Sequence, residues 1–158
     1  SELSGLPTNV DEHFVDDLFT ELQGANGVYI AQRKVNLSIK YEENINWFFD
    51  KDLIYLLLND VLINAMRYGN QMIELSAQIE DNQLVIRIED DGDGYPEHML
   101  EQSHSDMASF NLSQGRTGLG LFFARLIAQA HTNHGKCGFI SLKNGGKLGG
   151  SVFQVNIP

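Results

Sequence analysis

Asp60 and Asn64 stand one helical turn apart, on a stripe with Leu53, Leu57 and Tyr68 whose steps of four, three, four and four hold one face of a helix. The stripe begins apolar and turns polar. A carboxylate and an amide placed where a packed helix prefers leucine need partners, because an unsatisfied buried polar group costs about 1–3 kcal/mol. A divalent metal with nucleotide phosphates would supply them, and so would an internal hydrogen-bond network or exposure near the helix end. Further on, Leu84, Ile86 and Ile88 alternate along a strand, and parity puts Asp90 on their face, just before Asp91, Gly92, Asp93 and Gly94. An inward carboxylate beside glycines suits a flat ligand with an exocyclic amine, such as adenine, slid against the backbone. An Asp/Gly-rich surface turn would carry the same residues. The third group is Gly115, Gly118 and Gly120, leading into a helix whose free N–H groups and dipole favour an anion. A plain glycine-rich turn again reads the same way.

The elements that must carry these groups follow from periodicity. Val10–Leu22 has the apolar spacing of an amphipathic helix ended by Gly24 and Gly27. Val35, Leu37 and Ile39 alternate as a strand, and Trp47–Phe49 fits a short edge strand. Asp50 suits the N-cap of the helix that runs to Tyr68, and Gly69 suits a left-handed C-cap. Met72–Glu80 and Gln83–Glu89 form a hairpin turned by Asp81 and Asn82. A helical turn follows Pro96, then a polar loop over Gln102–Thr117, then a helix over Leu119–His131 that buries Leu119, Phe122, Phe123, Leu126, Ile127 and Ala130. Phe139–Leu142 and Val152–Ile157 close the chain as a second hairpin. This order predicts one domain over 1–158, with 1–9 as linker, of the α/β class. More specifically it predicts an α+β two-layer sandwich: a mixed, mostly antiparallel sheet of about five strands with three helices on one face.

Composition sets the bounds. At 158 residues, 42% hydrophobic, the chain suffices for one well-packed domain. Its net charge of −10 argues against nucleic acid as a partner. The longest apolar run, Leu53–Leu58, is broken at Asn59 and Asp60, so no span and no membrane contact by this domain are expected. Ser1–Asn9 lack a basic-then-apolar leader, which makes a cytoplasmic setting the expectation. The one cysteine, Cys137, permits neither an internal disulfide nor a cysteine-built zinc site and reads as a small buried or semi-exposed side chain.

Taken in order, the Asp…Asn helix, the Asp-x-Gly-x-Gly hairpin end, the polar loop, Gly-Leu-Gly-Leu opening a helix and a glycine-rich last hairpin resemble the catalytic ATP-binding domain of sensor histidine kinases. That is the histidine kinase branch of the Bergerat-fold GHKL superfamily, and the resemblance covers Asp52–Pro158. Residues 59–68 look like the N box, which implies Asn64 as the Mg²⁺ ligand, Arg67 facing the phosphates and Tyr68 near the base. Asp90–Gly94 is similar to the G1 box, implying Asp90 as adenine reader, flanked by Gly92 and Gly94. Thr117, Gly118, Leu119, Gly120 and Leu121 are similar to the G2 box, closing an ATP lid over 95–117. Asp60 replaces the usual first asparagine of the N box; it would ligate metal or, as acids there do in related ATPases, orient a water. Arg116 replaces a lid glycine, with Gly115 displaced by one, and would pair with phosphate. Phe110 is the one F-box candidate. The resemblance implies ATP and Mg²⁺ as cofactors. It also implies transfer of the γ-phosphate to a histidine on a dimerisation domain outside this chain, with a response regulator downstream and a parent protein that is membrane-anchored or not. His13, His98, His104, His131 and His134 have no H-box context and read as surface or capping residues. The rival readings are a serine kinase acting on an anti-sigma antagonist and a degenerate nucleotide-binding regulatory module.

Overall fold

Apolar alternation on successive strands builds a sheet with one greasy side. In the computed structural model, which describes residues 6–42, 44–102 and 119–158, the elements run β1 (Asp11–Phe14), α1 (Val15–Arg33), β2 (Asn36–Tyr41), β3 (Asn46–Phe49), α2 (Lys51–Tyr68), β4 (Met72–Glu80), β5 (Gln83–Asp90), α3 (Glu97–Gln102), α4 (Leu119–Ala130), β6 (Thr132–Asn133), β7 (Lys136–Cys137), β8 (Phe139–Asn144) and β9 (Ser151–Ile157). The main sheet has the order β2-β4-β5-β9-β8, with β2 parallel to β4 and every other pair antiparallel. Register lines up Ile39, Leu75, Ile88, Phe153 and Leu142 in one cross-strand row, and Tyr41, Ala77, Ile86, Val155 and Ile140 in the next. These rows join buried residues of α1, α2 and α4, among them Phe19, Leu58 and Ala128, in a single core. The mixed five-stranded sheet with its helix layer is the expected fold class.

The hairpin between β4 and β5 turns on Asp81 and Asn82, at φ 51° and 61°, the left-handed pair that a two-residue turn of this twist requires. Asp50 caps α2 as expected, its Oδ1 accepting from Leu53 N at 3.0 Å, while Oδ2 accepts from Asn9 N at 2.7 Å. Cys137 is exposed.

Four expectations need correction. Residues 11–14 are strand, not helix, because β1 finds an antiparallel partner in β3; the pair is tied to the main sheet by Trp47 Nε1 donating to Ile157 O at 3.1 Å. The first helix therefore starts at Val15, and it runs through Gly24 and Gly27 to Arg33. Both glycines lie on its exposed side, where each costs about 1 kcal/mol that packing of Leu18, Phe19 and Leu22 outweighs. Gly69 is not left-handed: φ is −79° and ψ −175°, and the residue is small for a reason of space. Phe123 is 53% exposed, and in α4 it is Leu121, Ala124, Ile127, Ala128 and Ala130 that are buried. The loop over 103–117, Phe110 and His104 lie outside the described residues.

Candidate functional site

β5 ends at Asp90, which sits in the helix-side row with Leu37 and Ile73 and is 3% exposed. Its Oδ1 accepts hydrogen bonds from Gly92 N at 2.9 Å and Ser151 N at 3.1 Å, and its carbonyl accepts from Gly150 N at 3.0 Å. Oδ2 accepts none from the described residues. Glycines make this close fit possible. A Cβ at Gly69 would run into Ala65 O and press on the Asp90 side chain, and one at Gly92 would run into Gly69 and Tyr68 O. One at Gly150 would strike Asp90 itself. The acid is thus enclosed by the end of α2, by its own turn and by the start of β9. Gly94, at φ 89°, backs onto Asn144, whose Oδ1 accepts from Tyr95 N at 2.7 Å and whose Nδ2 donates to Tyr95 O at 3.1 Å.

Asp60 and Asn64 share a cleft of about 30 Å³ with Tyr95, Gly120, Leu121 and Phe153. Asp60 as a residue is exposed, yet its carboxylate is tucked against the first turn of α4, where a Cβ at Gly120 would lie 2.5 Å from Oδ2. Loss of hydration pushes its pKa above the usual carboxylate value, with the Arg67 charge working against the shift. Arg67 is exposed, with its guanidinium 6.0 Å over the ring of Tyr68, which is 38% exposed.

The structure therefore brings Asp60, Asn64, Gly120 and Leu121 together, with Arg67 and Tyr68 further along the same helix. Asp90, Gly92 and Gly94 lie on the same side of the sheet but do not line that cleft. The cleft itself holds little more than a water molecule. Arg116, Thr117 and Gly118 lie outside the described residues, as does the side chain of Leu119. Sequence reasoning passed over Ser151. It is 3% exposed, its amide binds Asp90, and its Oγ has no hydrogen-bond partner among the described residues. The signal for it was the pair Gly149 and Gly150 just ahead of an alternating strand, which marks a close backbone approach. Among the described residues no three His, Cys, Asp or Glu side chains gather as a metal site.

The fold is that of histidine kinase catalytic domains of known structure. The catalytic domain of histidine kinase ThkA superposes with a TM-score of 0.79 at 22% identity over 96% of both chains. The Acinetobacter baumannii histidine kinase AdeS does so with 0.75 at 21% identity, over 99% of this chain and 70% of that one. Residues 49–158 match the family described as histidine kinase-, DNA gyrase B- and HSP90-like ATPases, and the chain belongs to that family. Among full-length relatives it is 30% identical over 121 residues to the signal transduction histidine-protein kinase AfsQ2 of Streptomyces coelicolor, and 32% over 119 residues to the sensor protein PhoQ of Escherichia coli. Those stretches are 74% and 75% of this chain but only 21% and 24% of the relatives.

Proposed function

We propose that residues 1–158 act as one unit that binds Mg·ATP and presents the γ-phosphate to a histidine on a dimerisation domain of a longer sensor kinase, from which a response regulator is charged. The observation that carries this reading is Asp90: a buried carboxylate with one oxygen held by two backbone amides and the other accepting nothing from the described residues. Oδ2 is then the acceptor for the exocyclic amine of adenine. The orphan hydroxyl of Ser151 is a second polar contact for the base. Tyr95, Leu121 and Phe153 give the neighbouring cleft flat or apolar walls.

Asn64 and Asp60, one turn apart on α2 and lining one cleft, offer the amide and carboxylate oxygens that Mg²⁺ prefers, with phosphates and water completing its shell. Mg²⁺, when bound, neutralises phosphate charge. Phosphoryl transfer asks the protein chiefly for positioning and charge compensation. On this reading Arg67 and Arg116 supply positive charge, and Thr117, Gly118 and the N-terminal amides of α4 serve the phosphates. Residues 95–117 then serve as the ATP lid.

Isothermal titration with Mg·ADP tests this. The wild-type chain is expected to bind in the micromolar range. In Asp90→Asn an amide nitrogen can oppose the adenine amine, and affinity should fall by about 30-fold or more, the effect of roughly 2 kcal/mol. Equal affinities in the two proteins would exclude Asp90 as the base reader.

A further inference from the structure

The face of the sheet turned away from the helices carries charge that nucleotide binding does not use. Glu74 and Glu89 are cross-strand partners there, and each is only 5% exposed although no helix among the described residues covers that face. What covers them is the turn between β8 and β9. Lys147 N donates to Glu89 Oε1 at 3.1 Å, and Lys147 Nζ donates to Glu74 Oε1 at 2.8 Å, with Lys40 Nζ 3.9 Å from the same oxygen. Gly146 lies so close that a Cβ there would collide with Glu89 Oε1 and Val152. Two carboxylates directly opposite on paired strands repel each other unless a cation sits with them. The hydrogen bond to Glu74 in turn raises the pKa of Lys147 above that of an ordinary lysine.

The same turn, a few residues later, supplies the Gly150 and Ser151 amides that bind the carbonyl and Oδ1 of Asp90. Glu89 and Asp90 are adjacent, so they point to opposite faces of β5. The segment 146–151 therefore grips the end of β5 from both sides: on the open face through Lys147, on the helix face through the Ser151 amide, with Gly150 N on the Asp90 carbonyl between them.

We infer that Lys147 is a positioning residue for the base-reading acid, clamping the β8–β9 turn to Glu74 and Glu89 so that the Gly150 amide fixes the Asp90 backbone and the Ser151 amide holds its carboxylate in the binding orientation. This rests on Asp90 being the nucleotide contact. The Lys147 side chain is 63% exposed, so its ion pair adds little to global stability and its loss acts locally.

The experiment compares wild type, Lys147→Ala, Lys147→Arg and Asp90→Asn of the 158-residue chain by titration with Mg·ADP, thermal unfolding and amide hydrogen exchange. Lys147→Ala should weaken Mg·ADP binding about fivefold, the order of one lost charge-assisted contact. Its Gly150 and Ser151 amides should exchange faster, its β4 and β5 amides should not, and its melting temperature should stay close to wild type. Lys147→Arg should restore affinity and protection. Lys147→Met, which keeps the stem, is the second variant should the alanine protein fold poorly, with the same expected loss. If Lys147→Ala binds and exchanges like wild type while Asp90→Asn loses binding, the clamp is wrong and the nucleotide site stands. If Asp90→Asn binds like wild type, both are wrong.

Discussion

Asp90 has one oxygen bonded by two backbone amides and one with no partner among the described residues, and the buried Ser151 Oγ likewise has none there. A buried hydroxyl left unsatisfied costs about 1–3 kcal/mol, a cost that the proposed nucleotide contact would offset. Ser151→Ala should therefore leave the melting temperature unchanged or raise it, while Mg·ADP affinity falls about fivefold. Calorimetric scanning and titration of the same sample check both halves. A lower melting temperature with unchanged affinity would make the hydroxyl structural. Asp60 shows a related tension, since its carboxylate, held against α4, loses hydration and its pKa rises above the usual carboxylate value, with Arg67 opposing the rise.

Between elements, His131 is the joint. The sequence pointed to a surface or capping residue, but its ring is 2% exposed and links the end of α4 to the start of α2: Nδ1 donates to Ile127 O at 2.8 Å and Nε2 accepts from Asp50 N at 3.0 Å. That pairing fixes the neutral tautomer. Burial lowers the His131 pKa, with the Ile127 carbonyl and the Asp50 charge opposing the shift. The folded protein thus binds fewer protons here than the unfolded chain does. The contribution is complete above the unfolded histidine value of about 6.5 and is lost as pH falls below it, at up to about 1.4 kcal/mol per pH unit. Urea unfolding between pH 8 and 5 should show that decline in wild type and a flatter one in His131→Leu, which will be less stable at pH 8 because Asp50 N loses its acceptor. Identical slopes would assign the pH dependence elsewhere.

For the molecule as a whole, the buried faces of the helices pack the core, and the candidate site lies where the end of β5 and the polar stripe of α2 meet. Leu58, fully buried on α2 away from Asp60 and Asn64, illustrates the separation. Leu58→Ala should cost about 2–5 kcal/mol in urea unfolding and leave the Mg·ADP affinity of the folded fraction unchanged. A parallel loss of affinity would show that the site depends on the packing of the whole core. No helix among the described residues is long and apolar enough to cross a membrane.

The amino-acid sequence alone determined what depends on short-range repetition: the alternation that fixes β4, β5 and β9, the Asp50 cap, the Asp81–Asn82 turn, and the parity that turns Asp90 toward the helices. These are properties of neighbouring residues and need no knowledge of distant ones. Tertiary structure alone decided what depends on two remote segments meeting. Residues 11–14 became strand only because 46–49 offered an edge, and α1 continued past two glycines because its other face was buried. Gly69 was needed for its missing side chain beside Asp90, twenty-one residues on, rather than for its handedness. Ser151 and Lys147 joined the acid's surroundings from the far end of the chain. Side-chain spacing encodes which face a residue occupies, but contact between remote backbones depends on how the sheet closes, and no local pattern carries that information.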